Sequence, residues 1–207
     1  MYTPKSFQAG EEDAFAFIAA HPFGLLLTRR GDEPVGGHVP FLLSRSDAGP
    51  AVLTTHVARA NRQWRDLAED GRVLVVFTGP HAYVSPRWYP EPAAAVPTWN
   101  YQAVHVRGRA EIMDTQDLLA HLAAAAAHYE SDGPWRLADM DPAAFQPRLQ
   151  AIVGLRVTIE TVTAKFKLSQ NKTGAQRRGI SRGLRRQHDP DSTRIADLMD
   201  RLPDPDA

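Results

Sequence analysis

The sequence predicts an α+β fold, in which short antiparallel strands form a closed or nearly closed barrel with a few peripheral helices. Apolar runs of strand length recur along the chain, and clusters of turn-forming residues separate them. The chain shows no internal repeat and no low-complexity linker. Its 207 residues suffice for one domain that buries its own core.

The first part of the chain predicts one helix and three strands. The helix covers residues 11–20, carries acidic residues in its first turn, and ends before Pro22. Turns rich in Gly, Asp and Pro follow at residues 31–34 and 47–50. The strands between these signals span residues 23–28, 35–43 and 51–56.

The rest of the chain alternates between helical and strand patterns. Asn61 is a helix cap and Gly71 a helix terminator for a helix over residues 61–70. Five consecutive alanines favour the helix Thr115–Tyr129. The other predicted elements are strands over 73–78, 101–113 and 151–162, a loop over 80–99, a helical turn over 142–149, a helix over 192–202 and a frayed tail over 203–207.

Composition excludes several classes of site. The chain has no cysteine, which excludes disulfides, thiolate metal sites and a cysteine nucleophile. No metal-ligand spacing is visible among the histidines, so no metal site is predicted. Apolar runs are too short to cross a membrane, and the N-terminus lacks a signal-peptide pattern, which predicts a cytoplasmic protein.

The formal net charge of zero conceals an uneven distribution of charge. Eight basic residues and no acidic residue occur between Lys165 and Arg186. Such a segment is typical of a surface that binds anions: a cofactor phosphate, nucleic acid or the acidic part of a dimer partner. A solvated basic helix face explains the same pattern equally well.

Five motifs occur in order along the chain: MYTP at 1–4 with Phe7, THVARAN at 55–61 with Trp64, GPHAYVSP at 79–86 followed by Trp88 and Tyr89, VPTWNY at 96–101, and KFKLSQN at 165–171. Together these motifs resemble the PaiB-like family, described as FMN-binding negative transcriptional regulators. They occur in register over about 170 residues. One departure is Arg62, where the family is expected to have proline; the first position of a helix tolerates either.

The resemblance implies an antiparallel six-stranded split β-barrel, similar to the pyridoxamine-phosphate oxidases, with peripheral helices. It implies FMN as the cofactor, bound at the interface of a homodimer, and a role as a transcriptional repressor. Residues 1–164 then form the FMN-binding domain. Residues 165–207 form a basic segment and terminal helix that pack on the same domain or on the dimer partner.

One group of candidate cofactor-binding residues lies where a strand meets a helix start. Hydroxyls, an arginine and free helix N–H groups there would cradle a phosphate; these candidates are Thr54, Thr55, Arg59 and Asn61. His56 would donate to a phosphate or flavin oxygen. In the alternative interpretation Asn61 only caps its helix, Arg59 is solvent-exposed and His56 is a structural hydrogen-bonding residue.

A second group of candidates belongs to the aromatic loop and the basic segment. Tyr83, Ser85 and Trp88 would line a flavin ring, while Trp99, Asn100 and Tyr101 would cover it or reach across the dimer. Lys167, Ser169, Gln170 and Asn171 offer donors to an anion or to the pyrimidine edge of the ring. Alternatively, the aromatic residues pack the outside of the barrel and the lysines protect an edge strand.

Three functions remain open at this point. The first is a flavin-binding regulator that contacts DNA through the segment from Lys165 to Arg186. The second is an FMN-dependent oxidoreductase using NAD(P)H or another electron donor; without a Rossmann fingerprint, the donor would bind in the flavin groove. The third is a haem-binding relative, with His56, His81 or His105 as axial ligand. The catalytic residues of any enzyme remain unknown.

Overall fold

A computed structural model describes residues 1–46 and 49–203. Its helices are α1 Glu11–Ala20, α2 Gln63–Asp70, α3 Thr115–Tyr129, α4 Pro142–Gln150, α5 Gly174–Arg185 and α6 Pro190–Asp200. Its strands are β1 Gln8–Ala9, β2 Phe23–Arg30, β3 Glu33–Pro40, β4 Leu42–Ser46, β5 Gly49–Ala58, β6 Arg72–Val84, β7 Thr98–Ile112 and β8 Ile152–Lys167. No helix in the described part is long and apolar enough to cross a bilayer.

The strands form one sheet in the order β3-β2-β6-β7-β8-β5-β4, with β1 paired to β8. The pairs β2–β3, β2–β6, β4–β5 and β5–β8 are antiparallel, and Leu53 lies opposite Val157 in the β5–β8 pair. The described chain therefore has eight strands rather than six. One of the two additional strands is the short β1, and the other arises because the predicted strand over 35–43 is divided.

The division falls at Phe41, between β3 and β4. Phe41 is buried, its ring packs edge-on against Phe77, and its N–H donates to the carbonyl of Pro22. The preceding residue, Pro40, is the last residue of the β2–β3 ladder, where it lies opposite Phe23. After Phe41 the chain pairs with a different strand, since Leu42 of β4 lies opposite Thr54 of β5. The turn predicted over 47–50 falls partly on Asp47 and Ala48, which lie outside the described residues.

Two compact units make up the described chain. Unit A consists of residues 15–77 and 105–162. Its core contains Leu26, Leu53, Val75 and Leu155, all fully buried. Helix α2 is attached through Gln63, whose buried amide donates to the carbonyls of β2 and β3 at Leu26 and Val35.

Unit B consists of residues 1–14, 78–104 and, in the described chain, 163–203. Ile180 and Leu184 on α5 pack with Ile195 and Met199 on α6 in a core that also includes Val84. The basic segment therefore forms a real amphipathic helix, whose start is fixed by a reciprocal capping box between Thr173 and Gln176. The apolar stripe of α5 is buried within its own chain.

The predicted loop over 80–99 is shorter than expected. Strand β6 continues through Gly79 and Pro80 to Val84, because His81 and Tyr83 point outward while Ala82 and Val84 are buried. Strand β7 begins at Thr98, so only residues 85–97 connect the two strands, and they include short 3-10 helices at Pro86–Trp88 and Pro92–Ala94. The helical turn predicted over 142–149 is the helix α4, capped by Asp141.

Candidate functional site

The residues predicted to bind a cofactor fall into two groups, one in each unit. Unit A holds Thr54, Thr55, His56, Arg59 and Asn61. Unit B holds Tyr83, Ser85, Trp88, Trp99, Asn100, Tyr101, Lys167, Ser169, Gln170 and Asn171.

In unit A a chain of hydrogen bonds joins β5 to α3. Thr54 and His56 alternate with the buried Thr55 and therefore share one face of β5. Nδ1 of His56 lies 3.1 Å from Nε2 of His121 on α3, and Nδ1 of His121 lies 3.0 Å from Oγ1 of Thr54. Thr55 instead donates to the carbonyl of Pro40, which is a structural contact. His121 is 67 residues from Thr54 in the sequence, and no local pattern indicates it.

Burial lowers the pKa of both histidines. The pKa of His121 falls to about 4, mainly through desolvation and further through the charge of His56. The pKa of His56 is also lowered by desolvation. Both rings are therefore neutral at neutral pH, and an N–H···N bond between them requires that one nitrogen accept.

Arg59 connects the end of β5 to the junction between α4 and β8. Its Nε donates to the carbonyl of Gln150 at 2.6 Å, and its Nη2 donates to the carbonyl of Ile152 at 2.9 Å. A guanidinium has more N–H donors than these two bonds use, so the exposed side chain retains capacity for an anion. Asn61 Oδ1 accepts from the backbone N–H of Gln63, the first residue of α2, in an Asx turn. The N-cap of α2 is Arg62 and not the predicted Asn61, because the helix begins two residues later than expected.

A cavity of about 410 Å³ lies beside Arg59 in unit A. Trp64, Leu118 and Leu149 supply apolar walls, and Gly154 forms part of the lining. A side chain at position 154 would meet Met113 and Leu118, so glycine keeps the strand close to α3.

In unit B two exposed aromatic residues lie side by side on β6 and β7. The rings of Tyr83 and Trp99 are 6.0 Å apart and nearly perpendicular, and His81 lies 5.9 Å from Trp99. Tyr83 is 46% exposed and Trp99 is 52% exposed. Aromatic side chains with this much exposed surface are typical of a contact with a ligand or a partner.

Trp88 and Ser85 have different environments from this pair. The indole of Trp88 lies over Gly183, and its backbone carbonyl lies against Gly179, both on α5. The hydroxyl of Ser85 accepts from the backbone N–H of Arg87 and caps the short turn that carries Trp88. Both side chains thus have structural contacts within unit B.

Asn100 forms a buried polar pair with Ser169. Its amide nitrogen donates to Ser169 Oγ at 3.0 Å and lies 3.4 Å from the sulfur of Met199. Ser169 has a φ of 64°, an uncommon backbone conformation for a residue other than glycine. Gln170 closes the same turn by accepting from Leu168 N–H and donating to the carbonyl of Phe166, while Asn171 is exposed.

Lys167 is a half-buried cation of unit B. Its ammonium donates to the hydroxyl of Thr98 and, at 2.8 Å, to the carbonyl of Trp99. Desolvation, followed by the positive charges of Lys165 and Lys172, lowers the pKa of Lys167. Lys165 and Lys172, the sources of these charges, are not among the predicted site residues.

The three histidines considered as haem ligands do not all lie in one unit. His56 and His105 belong to unit A, and His81 belongs to unit B. His56 already uses Nδ1 with His121, and His81 faces Asp191 at 3.5 Å. Among the described residues no group of three His, Asp or Glu side chains is arranged to hold a metal ion.

Comparison with known proteins identifies the family. The model of the family described as "Putative FMN-binding domain" matches residues 1–161. The chain belongs to this family. It is also 34% identical over 203 residues to the protease synthase and sporulation protein PAI 2 of Bacillus subtilis, covering 97% of each chain. The resemblance to the PaiB-like family is therefore confirmed, and the family description agrees with FMN as the predicted cofactor.

Solved structures share the fold of this FMN-binding family member. The FAD and heme binding protein of Mycobacterium smegmatis superposes with a TM-score of 0.60 at 20% identity, over 77% of this chain and 73% of that chain. The flavocytochrome Anf3 of Azotobacter vinelandii gives 0.55 at 18% identity, over 76% and 67%. The predicted antiparallel fold with peripheral helices, of the flavin-binding split-barrel kind, is confirmed.

Proposed function

We propose that this protein binds FMN at the interface of a homodimer. The observation that carries the proposal is the exposed pair of aromatic rings of Tyr83 and Trp99. The half-buried ammonium group of Lys167 donates a hydrogen bond to the backbone carbonyl of Trp99. A flavin is a flat aromatic ring with a polar edge and an anionic phosphate. The side chains of unit B match this chemistry with aromatic surface and cationic donors.

The aromatic residues and the polar donors of unit B would contact different parts of the flavin. Tyr83 and Trp99 would contact the isoalloxazine ring, and Lys167 and Asn171 would donate to its polar edge. Bound FMN supplies hydride or single-electron chemistry, so the protein's own part is binding, orientation and exclusion of water. In unit A, Arg59 with Thr54 and His56 is a separate candidate position for an anion.

The dimer is supported by further exposed apolar surface in the same unit. Tyr2 and Val96, which belong to unit B, are exposed together with Tyr83 and Trp99. Exposed apolar residues of this size are costly for a protein that stays alone in water. Light scattering coupled to gel filtration tests this directly, and a monomer mass at micromolar concentration would remove the dimer from the proposal.

Absorbance and FMN titration test the cofactor. We expect FMN fluorescence to be quenched on binding, and Trp99→Ala to weaken binding by about tenfold because aromatic stacking contributes about 1–3 kcal/mol. Trp135→Ala is the matched control, because Trp135 is an exposed tryptophan of unit A outside the proposed site. A colourless protein whose addition leaves FMN fluorescence unchanged would refute FMN binding.

We further propose that the regulator role acts through α5 and DNA. Arg178, Arg182 and Arg186 are exposed, recur every fourth residue, and have no described carboxylate within 4.0 Å. The neighbouring arginines are already occupied: Arg177 is buried and donates to the carbonyl of Pro203, and Arg185 pairs with Asp197 and Asp200. Three arginines on one helix face favour phosphate contacts, which give affinity but little sequence specificity.

Salt-dependent DNA binding tests this surface. We expect Arg182→Gln to reduce the slope of log K against log salt by about 1, while Arg136→Gln in unit A leaves it unchanged. No salt-sensitive retention of duplex DNA by the native protein would refute direct DNA contact.

An FMN-dependent oxidoreductase is the second candidate function. It is favoured by the exposure of Tyr83 and Trp99, since a small molecule can reach a ring that lies against an exposed surface. Oxidation of NADH or NADPH by the FMN-loaded protein, followed at 340 nm with several acceptors, distinguishes the candidates. Turnover supports the enzyme, and its absence with both nicotinamides and all acceptors argues for the regulator alone.

A further inference from the structure

We propose that His56 and His121 of unit A chelate a divalent transition-metal ion of the kind that imidazole binds, Cu²⁺, Ni²⁺ or Zn²⁺. The ion would lie between Nδ1 of His56 on β5 and Nε2 of His121 on α3. The site is separate from the proposed flavin contacts of unit B, and its test does not require flavin.

The separation of the two nitrogens fits a shared metal ion. Nδ1 of His56 and Nε2 of His121 are 3.1 Å apart. An imidazole nitrogen lies about 2.0–2.1 Å from a zinc ion, so two nitrogens on one ion are about 2.9–3.4 Å apart when the angle at the metal is between a right angle and the tetrahedral value. The two rings can therefore exchange their hydrogen bond for two bonds to a metal with little movement of β5 or α3.

Thr54 fixes the tautomer of His121 that a metal requires. Its Oγ1 lies 3.0 Å from Nδ1 of His121. When the Nδ1–H group donates to this oxygen, the free lone pair is on Nε2, which is the nitrogen that faces His56. Histidines that bind metals donate their other ring N–H to an oxygen in the same way. Coordination through Nδ1 of His56 places the proton of that ring on its Nε2, so both ligands stay neutral.

The surroundings of the two rings suit a cation. Burial lowers the pKa of both histidines, which keeps the rings in the neutral form that binds a metal. Arg156, which lies opposite Thr54 in the β5–β8 pair, is already paired with Asp117 at 3.0 Å. His121 is buried and His56 is partly exposed, so the site borders solvent.

Two protein ligands leave coordination positions open. Among the described residues no third His, Asp or Glu completes the site, so water would take the remaining positions. Structural zinc sites are closed by four protein ligands, whereas an ion with open positions accepts a further donor. The ion would also join α3 to β5, and a ligand that binds only the folded state stabilises it.

Calorimetric titration of the tag-free protein with Zn²⁺ and Cu²⁺ measures the site. We expect one equivalent of either ion to bind, with Cu²⁺ the tighter, as the Irving–Williams order requires. His56→Phe and His121→Phe should each abolish this binding. Thr54→Val should weaken it by about 10–100-fold, because the partner of the His121 N–H group is lost. His128→Phe is the matched control, because His128 is exposed on the same helix and should not contribute.

A second measurement uses the native protein and does not depend on how the variants fold. In protein labelled with ¹⁵N-histidine, Zn²⁺ should shift the resonances of His56 Nδ1 and His121 Nε2. Nδ1 of His121 should remain protonated, because it donates to Thr54, and the resonances of His128 should not change. Zn²⁺ should also raise the melting temperature of the native protein and of His128→Phe, but not that of His121→Phe.

The outcomes decide the site independently of flavin. Absence of binding by both ions overturns it, and so does binding that survives His56→Phe and His121→Phe. Zinc shifts confined to other histidines mean adventitious binding at the surface and also overturn it. A protein that binds no FMN but shows the two expected nitrogen shifts supports the metal site and refutes only the proposed function.

Discussion

Replacement of Gly183 by alanine tests the packing of the Trp88 indole, which lies in the turn over residues 85–89, against α5. A Cβ atom at position 183 would lie 2.2 Å from Cδ2 and 2.4 Å from Cγ of Trp88. Carbon atoms in ordinary contact are about 3.5–4.0 Å apart, so the indole must retreat by more than about 1 Å. The indole is rigid and half-buried against α5, which leaves it few positions to occupy.

The expected magnitude follows from two opposing effects. Overpacking of this severity costs about 2–3 kcal/mol. Alanine in a helix interior is favoured over glycine by about 1 kcal/mol. Gly183→Ala should therefore reduce the free energy of unfolding by about 1–2 kcal/mol, the difference between the two effects.

The sign should reverse when the indole is absent. In a Trp88→Ala background the Cβ atom meets no ring, so Gly183→Ala should stabilise the protein by about 1 kcal/mol through helix propensity alone. The coupling between the two positions is then about 2–3 kcal/mol. Urea unfolding of the four proteins, followed by circular dichroism, measures it. A stabilising effect of Gly183→Ala in both backgrounds would refute the packing described for Trp88.

Three further predictions concern residues of the candidate site. Asn100→Ala should lower the free energy of unfolding by about 1–3 kcal/mol, because it leaves the buried Ser169 hydroxyl without its partner; unchanged urea stability would contradict this. Arg59→Ala should lower it by about 1–3 kcal/mol through loss of two carbonyl bonds, and Arg59→Lys should not restore it, as urea unfolding can show. The pKa of His121 in the folded protein is lowered from 6.5 to about 4. Its contribution to stability is therefore complete above pH 6.5 and is lost as the pH falls toward 4. If the urea midpoint of His121→Phe falls with decreasing pH as much as that of the native protein, His121 is not the cause.

The strands and most helices could be predicted because their patterns are local. Alternating burial along β5, and the alanine-rich α3, are visible in the sequence before any contact is known. The continuation of β6 past Pro80 was not predicted, because proline and glycine usually end a strand. In the structure the alternation of His81 and Tyr83 with buried neighbours outweighs that preference.

The contacts within the candidate site could not be predicted in the same way. His121 is 65 residues from His56, and Ser169 is 69 residues from Asn100, so neither pairing leaves a local signal. The motifs identified the residue types a flavin needs. They did not distinguish the exposed Trp99 from Trp88, whose indole packs on helix glycines. That distinction depends on tertiary packing.

The arginine row of α5 also has a consequence for how the protein behaves in a concentrated solution. The chain carries 24 basic and 24 acidic residues and has an isoelectric point near 7.1, so at neutral pH no net repulsion keeps molecules apart. Arg178, Arg182 and Arg186 nevertheless present a local positive face that attracts acidic surface on other molecules. Colloidal stability at pH 7 is therefore governed by ionic strength: dilute buffer promotes association, and salt near 0.15 M, with a screening length of about 8 Å, opposes it.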